Sequence, residues 1–143
     1  MNELNDVAEQ KEVDPRFPSG PWKGFWLQQG ISGRQWMRDI ALTFAEGRIS
    51  GQGTDSVGEF VFRGRYSLDD GKVMLFKRYV GAHEVIYQGC NEGDGMWLWG
   101  TWQIRPRDRG GFHIWPQGEK DPTGSGLDEE ADVPVEEVGV VLV

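Results

Sequence analysis

The chain holds one cysteine, Cys90, so no disulfide can form within it. A reducing, cytosolic compartment is the simplest expectation. The opening residues MNELNDVAEQKEVD have neither a basic start nor an apolar run, and no secretory signal is expected in them. No apolar stretch reaches the roughly 20 residues that a membrane-crossing helix needs, so no membrane insertion is expected. Histidine is sparse, with only His83 and His113. No cofactor-binding or nucleophile motif stands out, so no cofactor is expected and an enzyme is disfavoured.

Net positive charge is also lacking, since the formal charge is −8, and its distribution is uneven. Residues 1–15 carry −4 and residues 117–143 carry −7, whereas the body, 16–116, carries +3. Acidic tails repel phosphates, and so weak a basic excess does not make a phosphate-binding face. A nucleic acid partner is therefore not expected.

Aromatics and glycine are abundant. There are seven tryptophans, seven phenylalanines, three tyrosines and 21 glycines. The glycines have no collagen period and punctuate the chain as turns. From residue 47 to residue 104, short apolar and aromatic runs are cut by Glu46-Gly47, Asp70-Gly71, Gly81-Ala82 and the Gly93 to Gly95 stretch. This is the pattern of antiparallel strands joined by hairpins. Eight strands are expected, over 22–29, 35–45, 48–54, 59–67, 72–80, 83–90, 96–104 and 111–115. Over 35–45 a helix competes, because Ala, Leu and Met are good helix formers, but the sharp turn that follows favours a strand.

Eight sequential strands without crossover helices would leave two open edges as a flat sheet, and closure removes both. The fold class expected is therefore all-β: a single eight-stranded antiparallel up-and-down barrel, in preference to a sandwich. Its domain is placed at 20–116. Residues 1–19 are expected as a flexible tail, with Phe17 available to plug one end of the barrel. Residues 117–143 are expected as a disordered acidic tail ending in an apolar run, VPVEEVGVVLV, available to a protein partner.

Hairpin arithmetic assigns the faces, because directly opposed residues share one. A two-residue loop at Glu46-Gly47 pairs Phe44 with Ile49 and Leu42 with Gly51. A three-residue loop at 69–71 pairs Tyr66 with Met74, Phe62 with Arg78 and Phe60 with Val80. The next hairpin has two solutions. A two-residue loop, Gly81-Ala82, is preferred and puts His83, Val85 and Tyr87 on the face of Arg78. A three-residue loop centred on Gly81 puts them with Lys77 and Tyr79. On the preferred register the interior is aromatic and also holds Arg38, which shares the parity of Trp36, Ile40, Leu42 and Phe44. It holds Arg78, His83, Tyr66 and Tyr87 as well, with Asp55 as a further candidate for the interior. Buried cations need partners, from the protein or from a ligand.

Gly24-Phe25-Trp26 matches the G-x-W that opens the first strand of lipocalins and of avidins. With the eight-strand meander that follows, the chain resembles the calycin group over residues 20–116. That resemblance implies a calycin-like barrel and the binding of a small ligand inside it. It does not extend to the disulfide, the secretion signal or the helix after the barrel found in secreted lipocalins.

Several residues have chemistry to consider. His83, His113, Cys90 and Asp55 are metal-ligand types, but their spacing matches no ligand pattern, and no metal is expected. Tyr87 near His83 suggests acid–base work, with a packing role preferred. The glycines at 51, 53, 93 and 95 open no helix and read as turn or bend residues rather than phosphate loops. Trp97, Trp99 and Trp102 suit stacking on a ligand or the barrel core. Arg38 and Arg78 together would suit a carboxylate or phosphate, with pairing to Asp39, Asp55 or Glu84 as the structural alternative. The ligand-binding candidates are thus Arg78, Arg38, His83, Tyr87, Tyr66 and Trp102. Two functions compete. One is a small binding protein holding an apolar or anionic ligand in an aromatic barrel. The other is an interaction module with a filled barrel.

Overall fold

The computed structural model describes residues 10–92, 97–105 and 108–123. Turns at Glu46-Gly47 and around Gly71 and Gly81 place the strands they join side by side. The strands are β1 (Gly20–Gln28), β2 (Ile31–Ala45), β3 (Arg48–Thr54), β4 (Glu59–Tyr66), β5 (Lys72–Tyr79), β6 (Glu84–Glu92), β7 (Trp97–Arg105) and β8 (Asp108–Pro116). Each pairs antiparallel with the next, and β8 returns to β1, so the sheet is a closed barrel without free edges. The fold is all-β, as the alternation and turn spacing imply. The Gly93 to Gly95 turn lies outside the described residues, as do 1–9 and 124–143 with the apolar VGVVLV run.

Glycine makes the closure possible. A Cβ on Gly24 would sit 2.1 Å from the His113 carbonyl oxygen across the β1–β8 seam. The glycine of G-x-W is thus required where the last strand meets the first. The β2–β3 turn is the expected two-residue loop. Glu46 and Gly47 both have positive φ, at 52° and 81°, and Phe44 faces Ile49 while Leu42 faces Gly51.

The two following hairpins correct the expected register. The β4–β5 loop has four residues, 68–71, because Tyr66 faces Val73 and Ser67 N–H donates to the Lys72 carbonyl. Gly71, at φ 72°, donates to the Ser67 carbonyl, and the Asp70 carboxylate accepts from Lys72 N–H. These local bonds hold one residue more than a three-residue loop. Phe62 therefore faces Lys77, not Arg78, and Phe60 faces Tyr79. Val73, Leu75, Lys77 and Tyr79 point inward, while Met74, Phe76, Arg78 and Val80 point outward. The β5–β6 loop has three residues, 80–82, with Tyr79 N–H bonded to the His83 carbonyl and Gly81 at φ 73°. The preferred two-residue loop is thus also corrected. The two slips have opposite sense, so Val85 and Tyr87 are inside as expected.

Strand β2 carries a third correction. Its register jumps between Arg38 and Ala41, and Asp39 takes φ 56°. This bulge inserts one residue and reverses the side-chain alternation above it. Met37 is buried in place of Trp36, and Arg38 lies on the exposed outer face.

The interior is a single apolar cluster that includes Trp22, Ile40, Leu42, Phe44, Phe60, Phe62, Leu75, Tyr87, Trp102 and Phe112. One end is plugged. Phe17 is fully buried there, with ring centroids 4.8 Å from Tyr66 and 5.4 Å from Phe44. Residues 10–19, expected within the tail, pack against this end. Lys11 bridges Ala45, Glu12 N–H donates to the Phe44 carbonyl, and Asn91 Nδ2 donates to the Arg16 carbonyl.

A second apolar layer, Phe25, Leu27 and Trp115, lies outside the barrel wall. The Arg34 guanidinium covers the Phe25 ring at 4.4 Å and pairs with Asp121 at 3.2 Å. This explains why β8, unlike an ordinary barrel strand, is buried on both faces from Gly110 to Trp115.

Candidate functional site

The end opposite Phe17 is formed by the tips of the strands near Gln28, Asp55, Tyr79, His83 and Ile104. It opens into a cavity of about 270 Å³. Trp26, Tyr79, Val85, Tyr87 and Trp102 make its walls, and Gln28, Val57, His83, Ile104 and Asp108 make its rim. The pattern follows from strand alternation. Trp26 is two residues beyond Gly24, so the tryptophan of G-x-W falls on the lumen side. Tyr79, Val85, Tyr87, Trp102 and Ile104 share that parity on β5, β6 and β7.

Beside the walls lies a buried polar cluster. Lys77 is 1 % exposed, and its Nζ donates to Asp55 Oδ2 at 2.8 Å, to the Tyr87 hydroxyl at 3.1 Å and to Met37 Sδ at 3.5 Å. Aromatic faces surround the ammonium, with the Phe60 centroid at 4.3 Å and the Tyr79 centroid at 4.8 Å. Asp55 is equally committed. Its Oδ2 also accepts from the Tyr79 hydroxyl at 2.8 Å and from Trp26 Nε1 at 3.2 Å. Its Oδ1 accepts from Val57 N–H at 2.9 Å and Gly58 N–H at 3.3 Å, which ties the β3–β4 loop to the lumen. Burial acts to raise the Asp55 carboxyl, but the Lys77 ammonium and these donors outweigh it and hold the group below its usual value. Burial pushes Lys77 down to about 8, against the pull of Asp55. Burial raises both tyrosine hydroxyls, Tyr79 and Tyr87, with the Asp55 charge adding to the effect.

The candidates from the sequence divide. Tyr87 and Trp102 line the cavity, and His83 stands exposed at its rim with its ring 5.3 Å from Tyr79. Tyr66 is at the plugged end, where its hydroxyl donates to Glu12 Oε1 at 2.6 Å. Arg78 and Arg38 are on the outer face, displaced by the four-residue loop and the Asp39 bulge. The lumen cation is Lys77. A parity count from Phe62 with a loop of one more residue would have found it; the three-residue count concealed it. Asp55, offered by the sequence as a partner for a buried cation, is such a partner, but for Lys77 rather than for Arg38 or Arg78.

The metal-type residues do not meet. Asp55 is in the lumen, His83 at the rim, and His113 in the outer layer, where its Nδ1 accepts from Trp97 Nε1 at 3.1 Å. Burial and the nearby Arg34 charge lower His113 to about 4. Among the described residues no three His, Cys, Asp or Glu side chains cluster as metal ligands.

Fold and cavity together define the class: a closed eight-stranded antiparallel barrel, plugged at one end and open at an aromatic-walled other. Set against known protein families, characterised proteins and solved structures, the chain has no match in any of the three. The likeness to calycins therefore rests on the barrel and on Gly24 and Trp26.

Proposed function

We propose that this barrel binds a small apolar molecule in its open end. The observation that carries the reading is the cavity of about 270 Å³ walled by Trp26, Tyr79, Val85, Tyr87 and Trp102. Its volume is close to the lower limit of about 300 Å³ for ordinary small-ligand pockets, so the ligand is compact. Deeper in the lumen Phe60, Phe62 and Phe112 are buried in the apolar core cluster and are not among the residues that line this cavity. The aromatic walls supply apolar area and flat surfaces for stacking.

Native mass spectrometry of the full chain recovered from cells tests this, together with titration by a compact apolar probe, ethylnaphthalene, read through tryptophan fluorescence. Wild type is expected to carry or take up an apolar molecule. Val85→Trp, which fills the cavity, is expected to lose it while keeping the fold. A wild-type protein that carries nothing and leaves its fluorescence unchanged on titration refutes the reading.

The interaction-module reading draws on a different observation. Val61, Met74 and Ile86, each about 40 % exposed, project outward from β4, β5 and β6 beside Arg63, Arg65 and Arg78. A Val61→Ser, Ile86→Ser variant that keeps every partner recovered by the wild type would refute this alternative.

A further inference from the structure

Resting on the cavity reading above, we infer that the ligand is a neutral molecule with an oxygen acceptor, a carbonyl compound, whose oxygen takes the proton of the Tyr87 hydroxyl. The inference comes from an account of every polar group at the floor and walls. Lys77 has three ammonium protons and three acceptors: Asp55 Oδ2, the Tyr87 oxygen and Met37 Sδ. Asp55 receives five donors, from Lys77, Tyr79, Trp26, Val57 and Gly58. The Tyr79 hydroxyl spends its proton on Asp55, and Trp102 Nε1 spends its own on the Leu27 carbonyl at 2.8 Å.

Tyr87 stands apart in this account. It is 2 % exposed and lines the cavity. Its one hydrogen-bond partner among the described residues is Lys77, which can only donate. The hydroxyl oxygen is therefore an acceptor already used, and the hydroxyl proton has no acceptor among the described residues. A buried donor without a partner is costly, so a ligand that supplies one binds better than a hydrocarbon of the same shape.

The same account argues against an anionic head. The Lys77 charge is already matched by Asp55 at 2.8 Å, with both side chains almost wholly shielded from water. A carboxylate entering here would face Asp55 with no Lys or Arg among the described residues that line the cavity. Arg38 and Arg78, the cations that would have served an anion, are outside the wall. Polarisation by the ammonium makes Tyr87 a stronger donor, since the hydroxyl gives its lone pair to a cation while offering its proton to the ligand.

Three isosteric probes test the proposal on the full chain: acetylnaphthalene, ethylnaphthalene and naphthoate, each titrated by tryptophan fluorescence. In wild type the ketone is expected to bind about fivefold tighter than the hydrocarbon, the worth of one neutral hydrogen bond. Naphthoate is expected to bind weakest. In Tyr87→Phe the ketone and hydrocarbon are expected to bind alike. Equal binding of ketone and hydrocarbon to wild type, or strongest binding by naphthoate, overturns the proposal and leaves the apolar cavity standing. A selectivity that survives in a folded Tyr87→Phe also overturns it. Failure of all three probes to bind wild type instead overturns the cavity reading. The wild-type comparison decides the matter even where Tyr87→Phe does not fold.

Discussion

Removal of both partners of the Lys77–Asp55 pair is expected to cost far less than the sum of removing each alone. The two groups meet at 2.8 Å, and neither side chain is more than 1 % exposed. Lys77→Met leaves a buried carboxylate that still has Tyr79, Trp26 and two backbone N–H donors. Asp55→Asn leaves a buried ammonium with neutral acceptors only, the new amide oxygen, the Tyr87 oxygen and the weakly accepting Met37 Sδ. Breaking a buried pair on one side costs about 3–5 kcal/mol. Proton exchange sets a ceiling for each. At pH 7 a lysine with an ordinary value of 10.5 is neutralised for about 4.8 kcal/mol, at about 1.36 kcal/mol per unit. An aspartate with an ordinary value of 3.8 is neutralised for about 4.4 kcal/mol on the same scale. Asp55→Asn is therefore expected near 4.5 kcal/mol and Lys77→Met near 3 kcal/mol, the difference reflecting the donors that remain on Asp55. The Asp55→Asn, Lys77→Met double variant buries no charge and is expected to cost about 3 kcal/mol or less. The pair then couples by roughly 4.5 kcal/mol. Urea unfolding followed by tryptophan fluorescence measures all three, provided the m-value is unchanged. A double variant whose cost equals the sum of the singles within about 0.5 kcal/mol would refute the argument, as would either single below about 1 kcal/mol.

Three further outcomes follow from the register and the seam. Leu75→Ala and Phe62→Ala should each destabilise by about 2–5 kcal/mol, while Val61→Ala and Phe76→Ala stay within about 1 kcal/mol; the reverse order in urea melts would return β5 to its other face. Gly24→Ala should cost several times the ~1 kcal/mol of an average point substitution, since its Cβ would meet the His113 carbonyl at 2.1 Å; an unchanged thermal midpoint would show that the seam yields. His113 is neutral in the fold, with a value near 4 against 6.5 ordinarily, so between these pH values the unfolded chain takes up a proton that the folded chain refuses. Stability should thus fall by about 3 kcal/mol as pH drops from 6.5 to 4, and His113→Gln should lose correspondingly less over that window; parallel pH profiles for the two proteins would refute a buried neutral His113.

Much of the fold was legible in the order of residues. The turn glycines and the alternating aromatics mark eight strands within a few residues of their observed ends. A run of strands without crossovers implies closure, because closure alone removes both edges. Gly24 and Trp26 are likewise readable as a strand opener. The β2–β3 hairpin came out to the residue, since Glu46-Gly47 suits only a two-residue turn. The contents of the lumen were less legible. Phe60, Phe62, Tyr66 and the strand-six pair Val85 and Tyr87 could be assigned, the latter because two opposite slips cancel. Lys77 and Arg78 are adjacent, both cationic, and one residue of loop length decides which is buried.

Sequence alone therefore determined the strand count, the barrel and its aromatic interior, because these depend on periodicity and turn chemistry, which are local. Only the tertiary structure decided that Lys77 and not Arg78 faces inward, that Asp55 meets it, that Arg38 is turned out by a bulge at Asp39, and that the Tyr87 hydroxyl accepts from Lys77. Those facts depend on how many residues a loop holds and where a strand bulges. A side chain changes face with every single residue, so an error of one, invisible to composition and pattern, exchanges the whole lumen for the whole surface.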